Sequence, residues 1–454
     1  MKKSKPYRVL GNALFIIPGL VLHGLFWFAV LRPFVFFPNP GLKTFDTPQL
    51  VLETMQESYS GLIQAQDSRK GSGQLLMEFK HDRSQSIFDL LKLSTKPNTP
   101  GPEFMGLYIA ARQLVSGKSI YDRPDKLFPD RPEILVTTSN YPVTTALIVA
   151  PLLMLPPWTA YLIWLVVHEI ALVLLIIFTL KFLKGLPYRW IFAGSWLYTS
   201  SYYEDLFMGQ TSVFMALCIM LMGIALVERK KKLLAASWVT AIWIKLFPIL
   251  WLPIIFRHLT WKQLIIAVLI VVIPISAYFI IHSDDMSFFL LRLTGTINPA
   301  DSSELMPEKS KTSVAGGEGL QRLIWNWFRS EKLVTTLSIG IMLIALVVAV
   351  SAKSSNSLLQ IALLVHTHFL AFPYVWFHHY LMLLPAIVFL YYCMPNPWII
   401  VPILFIVISP SRWFFPDLSP YWNLWWILPT AILFCILLIK NASQIKNRFS
   451  SVVD

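Results

Sequence analysis

Residues 158–180 read WTAYLIWLVVHEIALVLLIIFTL. Apart from two threonines and the pair His168-Glu169, the run is apolar or aromatic. About 20 such residues cross a bilayer as a helix, so this is a full span. Lys181, Lys184 and Arg189 follow at once. Cations collect at cytoplasmic ends, which sets the direction of this helix.

Working outward, the composition agrees. Of 454 residues, 56% are hydrophobic and 14% charged. A soluble domain carries roughly 25% charged residues, so a soluble single-domain reading is excluded. The net charge of +13 lies in short breaks between apolar runs, not in a basic stripe with stacking aromatics. Nucleic acid is therefore no partner. Cys218, Cys393 and Cys435 each sit within an apolar run, without metal-ligand spacing.

Toward the N-terminus, Tyr141-Pro142 opens a short apolar run that ends at Pro156-Pro157. It is too short for a span and reads as re-entrant. A long polar segment, about 38–140, precedes it. Within that segment Glu103–Ser116, EFMGLYIAARQLVS, places Phe104, Leu107, Tyr108, Ala111 and Leu114 on one helical face. Pro102 starts this helix and Gly117 ends it. It reads as a helix lying along the membrane surface. The first apolar run, Gly11–Val30, follows Met-Lys-Lys-Ser-Lys and reads as an uncleaved first span.

Toward the C-terminus, Trp190–Tyr203 returns outward, so Glu204-Asp205 and Gly209-Gln210 emerge on the far side. Thr211–Val227 goes back to the basic cluster Arg229–Lys232. Leu233–Phe256 is broken by Lys245 and Pro248, with cations at both ends, and reads as a hairpin with Lys245 near its tip. Leu264–Ile281 is a span, and a second polar loop runs over about 282–321. Further spans are Leu333–Ala352, Ser357–Phe372, Tyr380–Met394, Trp398–Ser409 and Trp425–Lys440. The chain thus divides into a first span (1–32), an outer loop (33–140) with its helix at 103–117, and a first half-bundle (141–281). A second outer loop (282–332), a second half-bundle (333–440) and a basic cytoplasmic tail (441–454) complete it. The fold class expected is all-α: a polytopic transmembrane helical bundle of about 10–13 membrane segments. Its long outer loop carries juxtamembrane helices. No internal repeat or heptad pattern is present.

Ionisable residues at membrane depth are costly and so mark candidate sites. Glu103, Gln210, Lys245, Arg322, His378 and His379 all fall toward the far face. No metal-ligand spacing occurs among them. The glycine groups at Gly71 and Gly316 lack the strand–turn–helix context of a phosphate loop, so a nucleotide-sugar donor is not indicated. Each candidate has a plain structural reading too. Glu103 suits the first turn of a helix, and Lys245 can snorkel. Gln210 can satisfy a broken backbone, and His378 and His379 can cap the next span within an aromatic belt. Arg322 lies in RLIWNWF, which also reads as a surface helix. His168, Glu169, His366 and His368 lie inside spans with no role assigned.

In chain order come Glu103-Phe104, Tyr108-Ile-Ala-Ala-Arg112, Gly117, Ile120-Tyr121-Asp122, Tyr141-Pro142, Gly209-Gln210, Lys245-Leu-Phe-Pro248 and Trp376-Phe-His378-His379. The ordered set resembles the polyprenol-phosphate-mannose-dependent mannosyltransferases of the GT-C superfamily. It departs from them at Glu103, where aspartate is usual, at Val143, where a second proline is usual, and in the length of the first outer loop. The resemblance implies a GT-C-like bundle and transfer of a hexose, mannose, from a polyprenyl-phosphate donor to a lipid or glycan acceptor. It implies Glu103 as base and His379 as a second catalytic residue. His378, Lys245, Gln210, Arg322 and Tyr141 would hold substrate, with no metal or other cofactor. One displacement inverts the anomeric centre, so one carboxylate suffices. The active face would be the periplasmic or extracellular side of the plasma membrane. Two other readings stand beside it. One is a transporter or flippase of lipid-linked cargo, and the other a ligase or polymerase using a diphosphate-linked donor.

Overall fold

A computed structural model describes residues 14–31, 102–121, 141–293, 319–328, 330–353, 356–372, 375–403 and 422–453. The described elements are helical and include no strand. In order they are α1 (Ile16–Phe26), α2 (Pro102–Val115), α3 (Val143–Val149), α4 (Pro157–Phe182), α5 (Arg189–Tyr198), α6 (Ser200–Met208), α7 (Ser212–Val227) and α8 (Lys231–Ile244). Then follow α9 (Leu252–Ile255), α10 (Trp261–Ile281), α11 (Ser283–Leu293), α12 (Leu320–Phe328), α13 (Glu331–Ser351), α14 (Ser357–Ala371), α15 (Leu383–Cys393) and α16 (Trp422–Val453). Single 3-10 turns at Ala150–Met154, Phe247–Trp251 and Phe377–Met382 extend or precede three of these helices.

Among the described residues three helices are long and apolar enough to cross a membrane: Thr159–Phe182, Trp261–Ile281 and Lys332–Ser351. Each leaves an apolar stripe uncovered. On α4 the stripe is Val166, Ile170, Val173 and Ile177; on α13 it is Ile339, Leu343 and Val347. The spacing is that of one helical face. Contiguous apolar surface on spanning helices has lipid as its solvent. The protein is an integral membrane protein with an all-α, polytopic fold.

The centre of the bundle is different in kind. Every residue of α14 is buried, as are those of α15 up to Tyr391. These two helices pack on each other, α13 and α16 cover α14, and α7 packs on α15. Gly223 of α7 allows that last approach, since a Cβ there would lie 2.2 Å from the ring of Phe389. On the other flank α7 joins α4 and α8, α4 joins α5, and α5 joins α1.

The outer-loop helix forms where expected, with Gly117 in the left-handed region at φ +68° ending it. The re-entrant run is α3 plus one 3-10 turn. The run expected as one span over 190–203 is instead two helices. Thr199 is extended between them, with φ −71° and ψ 116°. The described residues of the segment expected as a second outer loop form α11 and α12. Of the span expected at Trp398–Ser409, residues 404–409 lie outside the described residues, as do the glycine groups at Gly71 and Gly316.

Candidate functional site

The site begins where α2 meets the turn between α6 and α7. Gly209 ends α6 at φ +70°, a conformation that glycine takes without penalty. A Cβ there would lie 2.7 Å from the Cβ of Phe104. The missing side chain is what lets the first turn of α2 sit on this turn. Phe104 fills the contact, with ring centroids 5.6 Å from Tyr161 and 5.4 Å from Trp164 of α4. Trp164 Nε1 donates to the Gly209 carbonyl at 3.0 Å. Glu103, beside Phe104, is thereby held over Gly209-Gln210.

The turn is braced from within by Asp205, which is fully buried. Its carboxylate accepts from Ser212 N at 2.9 Å and Val213 N at 3.0 Å. These are orphan amides of the α7 N-terminus, where an anion is favoured. His168 of α4 lies on the other side, Nε2 3.6 Å from Asp205 Oδ2. The ring nitrogens of His168 face two carbonyls, Trp164 O at 2.8 Å and Gln210 O at 2.7 Å. The two carbonyls and the Asp205 carboxylate together fix the ring in place. Glu169, one residue on, points elsewhere: it accepts from Trp27 Nε1 at 2.7 Å and lies 3.1 Å from His23 Nε2. His168 and Glu169 are thus two separate anchors, one to the site and one to the first span.

Gln210 reaches outward. Tyr141 OH donates to its Oε1. The Tyr141 carbonyl accepts from Tyr121 OH at 2.9 Å, and Tyr121 N donates to Ser119 Oγ at 3.1 Å. Ser119 Oγ donates to Asp285 Oδ2 of α11 at 2.6 Å, and Tyr278 OH donates to the same oxygen. Ile120 N donates to Tyr278 OH at 2.9 Å. A continuous bonded path therefore joins α11, the segment after α2, and Gln210.

Lys245 stands at the break that ends α8, with extended backbone at φ −148° and ψ 139°. A helix end at this depth leaves carbonyls without partners. Thr144 and Thr145 of α3 supply them, both donating to Trp243 O at 2.8 Å. The short re-entrant helix thus stabilises the break that places Lys245. The ammonium acts electrostatically on Glu103, Asp205, His368, His378 and His379. Burial raises the Glu103 carboxyl to about 7, against the opposing pull of Lys245.

The histidines close the far side. The 3-10 turn Phe377–Met382 packs on α6 and α7. The ring centroids of His378 and His379 are 4.4 Å apart. His379 Nδ1 accepts from Trp376 N at 3.1 Å, which fixes its orientation. His368 of α14 is 6.1 Å from His379 and stacks on Phe247 at 4.1 Å. Among the described residues no three His, Cys, Asp or Glu form a group placed to hold a metal.

Six of the expected residues, Glu103, Tyr141, Gln210, Lys245, His378 and His379, are joined by these contacts and by the field of Lys245. Arg322 lies on α12, which packs on α14. Its side chain lies outside what the structure describes. Asp205, His168 and His368 belong to the same assembly and were not expected there. Asp205 is hard to read because it caps a helix seven residues ahead, whereas a sequence-local cap lies two or three away.

A model of glycosyltransferase family 87 matches residues 140–373, just over half of the chain. The chain belongs to glycosyltransferase family 87. No curated protein and no solved structure matches it. This family 87 chain is therefore a membrane glycosyltransferase, with a sugar donor and an acceptor as substrates, and the transporter reading is set aside. The matched segment carries Tyr141, Asp205, Gln210, Lys245, Arg322 and His368. Glu103, His378 and His379 lie outside it and join it through the contacts described above.

Proposed function

We propose that this family 87 glycosyltransferase moves a hexose, mannose, from a polyprenyl-phosphate donor to a hydroxyl of a lipid or glycan acceptor. The observation that carries the reading is the position of Lys245. Its charge acts on the carboxyls of Asp205 and Glu103 and on the imidazoles of His378 and His379 alike. A glycosyl displacement needs both kinds of group: a base at the attacking hydroxyl and positive charge or N–H donors at the departing phosphate.

Glu103 takes the acceptor hydroxyl proton as that oxygen attacks the anomeric carbon. The bond from that carbon to the phosphate oxygen breaks, and its electron pair leaves on the phosphate. Lys245, His378, His379 and Arg322 stabilise the departing charge. Tyr141 and Gln210, tied to one another, hold the substrate in line. The anomeric centre inverts in the single step. With its carboxyl raised to about 7, Glu103 is poised near neutrality, where a general base works best.

The non-cytoplasmic face is favoured by length. From Tyr161, near the site, to Lys181 a helix rises roughly 30 Å at 1.5 Å per residue, about the hydrocarbon thickness of a bilayer. Lys181, Lys184 and Arg189 mark the cytoplasmic end. The test is transfer from labelled polyprenyl-phosphate mannose by the full chain in membranes, beside Glu103→Gln. Product from the unaltered chain alone supports the reading. Product from both removes Glu103 as the base, and product from neither removes the donor.

A further inference from the structure

α14 runs through the centre of the bundle, and His368 is 6% exposed there. Neither of its ring nitrogens has a hydrogen-bond partner among the described residues. Two neighbours on the helix each make one bond, although His366 Nε2 is also without a partner among the described residues. His366 Nδ1–H donates to Ala362 O at 2.8 Å and Thr367 Oγ1 to Leu363 O at 2.8 Å, each bonding back one turn. His368 forgoes that bond. Its ring is turned to lie nearly parallel to Phe247, at 18° and 4.1 Å, with Phe372 at 4.7 Å and His379 at 6.1 Å.

Buried polar groups are nearly always paired, and one left unpaired costs free energy. Here the ring is held firmly by aromatic contact, so the open nitrogens are a fixed feature. Phe247 lies two residues from Lys245, on the 3-10 turn that follows the break. The open imidazole therefore lies within the electrostatic reach of Lys245, a half-buried cation, and beside His379, which in turn packs on His378. The ligand chemistry that satisfies such a set is a compact anion with several acceptor oxygens.

We propose that His368 belongs to the donor site, its imidazole N–H binding a phosphoryl oxygen of the lipid-linked sugar beside Lys245. The contact persists on the leaving prenyl monophosphate as the sugar departs. This rests on the donor reading above and adds a residue that no motif of the chain had marked.

The experiment is binding of a polyprenyl monophosphate without sugar to the full chain in nanodiscs, with neutral polyprenol as the comparison. His368→Phe keeps a ring against Phe247 and removes both nitrogens; His368→Gln restores one N–H donor. The expected result is phosphate binding weakened about 10- to 100-fold in His368→Phe, the scale of one hydrogen bond to a charged group. His368→Gln should lose less, and polyprenol binding should be unchanged in both. Equal phosphate affinity in His368→Phe and the unaltered chain overturns the proposal. So does an equal loss for polyprenol, which would reveal damage to the lipid groove. If His368→Phe does not fold, His368→Met carries the same comparison. A chain that binds the phosphate through His368 yet transfers no sugar would sink the reaction proposed above and leave this site standing. A chain that binds no phosphate at all would remove the site.

Discussion

The turn at Asp205–Gln210 and the cluster at His368–His379 both lie within the electrostatic reach of Lys245, and they are satisfied differently. At the turn, both oxygens of Asp205 and both nitrogens of His168 have partners within the protein. At the cluster, His368 has none on either nitrogen among the described residues. A fully bonded polar network rigidifies a fold. An open one leaves donors for something that is not yet there. Asp205 and His168 hold their turn in shape, and His368 is the group that the proposal above assigns to a ligand.

The largest effect should come from Glu103, which the rigid turn supports. Glu103→Gln should lower transfer roughly 10²–10⁴-fold, the usual weight of a general base, with expression unchanged. The carboxyl must be ionised to accept a proton, and it is raised to about 7. Transfer by the unaltered chain should therefore rise with pH through about 7. A flat profile from 6 to 8 would show that another group takes the proton.

Next comes Asp205→Ala. Removing one partner of a buried charged pair costs about 3–5 kcal/mol, so thermal unfolding in detergent should fall sharply. A small change would mean that the turn does not depend on its internal bonds. Gly209→Ala should cost about 1–3 kcal/mol for the left-handed backbone alone, and the clash with Phe104 should also displace Glu103. Activity should drop further than stability. Equal falls would argue that the close approach serves packing only.

Tyr121→Phe removes one link of the path from Asp285 to Gln210, worth about 1 kcal/mol as a single hydrogen bond. A unit that transmits position would show it as a rise in KM. The sharpest contrast is one of sign: His368→Phe should leave the unfolding midpoint unmoved or raise it. An apolar ring in that place removes the cost of a buried, unpaired polar group. A large loss of stability there would erase the distinction between the two regions.

Much of the candidate site was legible as a set and little of it as an arrangement. Lys245 stood out because a cation interrupts an apolar run next to a proline, and the helix does end there. Gly209-Gln210 stood out by position, but its reason is a contact with Phe104, about a hundred residues away. His168 and Glu169 looked like one costly pair. On a helix, adjacent residues point about 100° apart, and each found its own partner on a different element. The break at Thr199 had no signal at all, since neither glycine nor proline marks it.

Local chemistry alone determined that the chain is helical and lives in a membrane. Lipid admits few backbone solutions, and length, apolar runs and cation placement count in any context. Only the tertiary structure decided which polar side chains share a site. Some of their partners lie far along the chain, 42 residues for His168 and Gln210 and 69 for Tyr141 and Gln210, and the surroundings there turn an ordinary Glu, Lys or His into a group that must be paired, perturbed or kept open for a ligand.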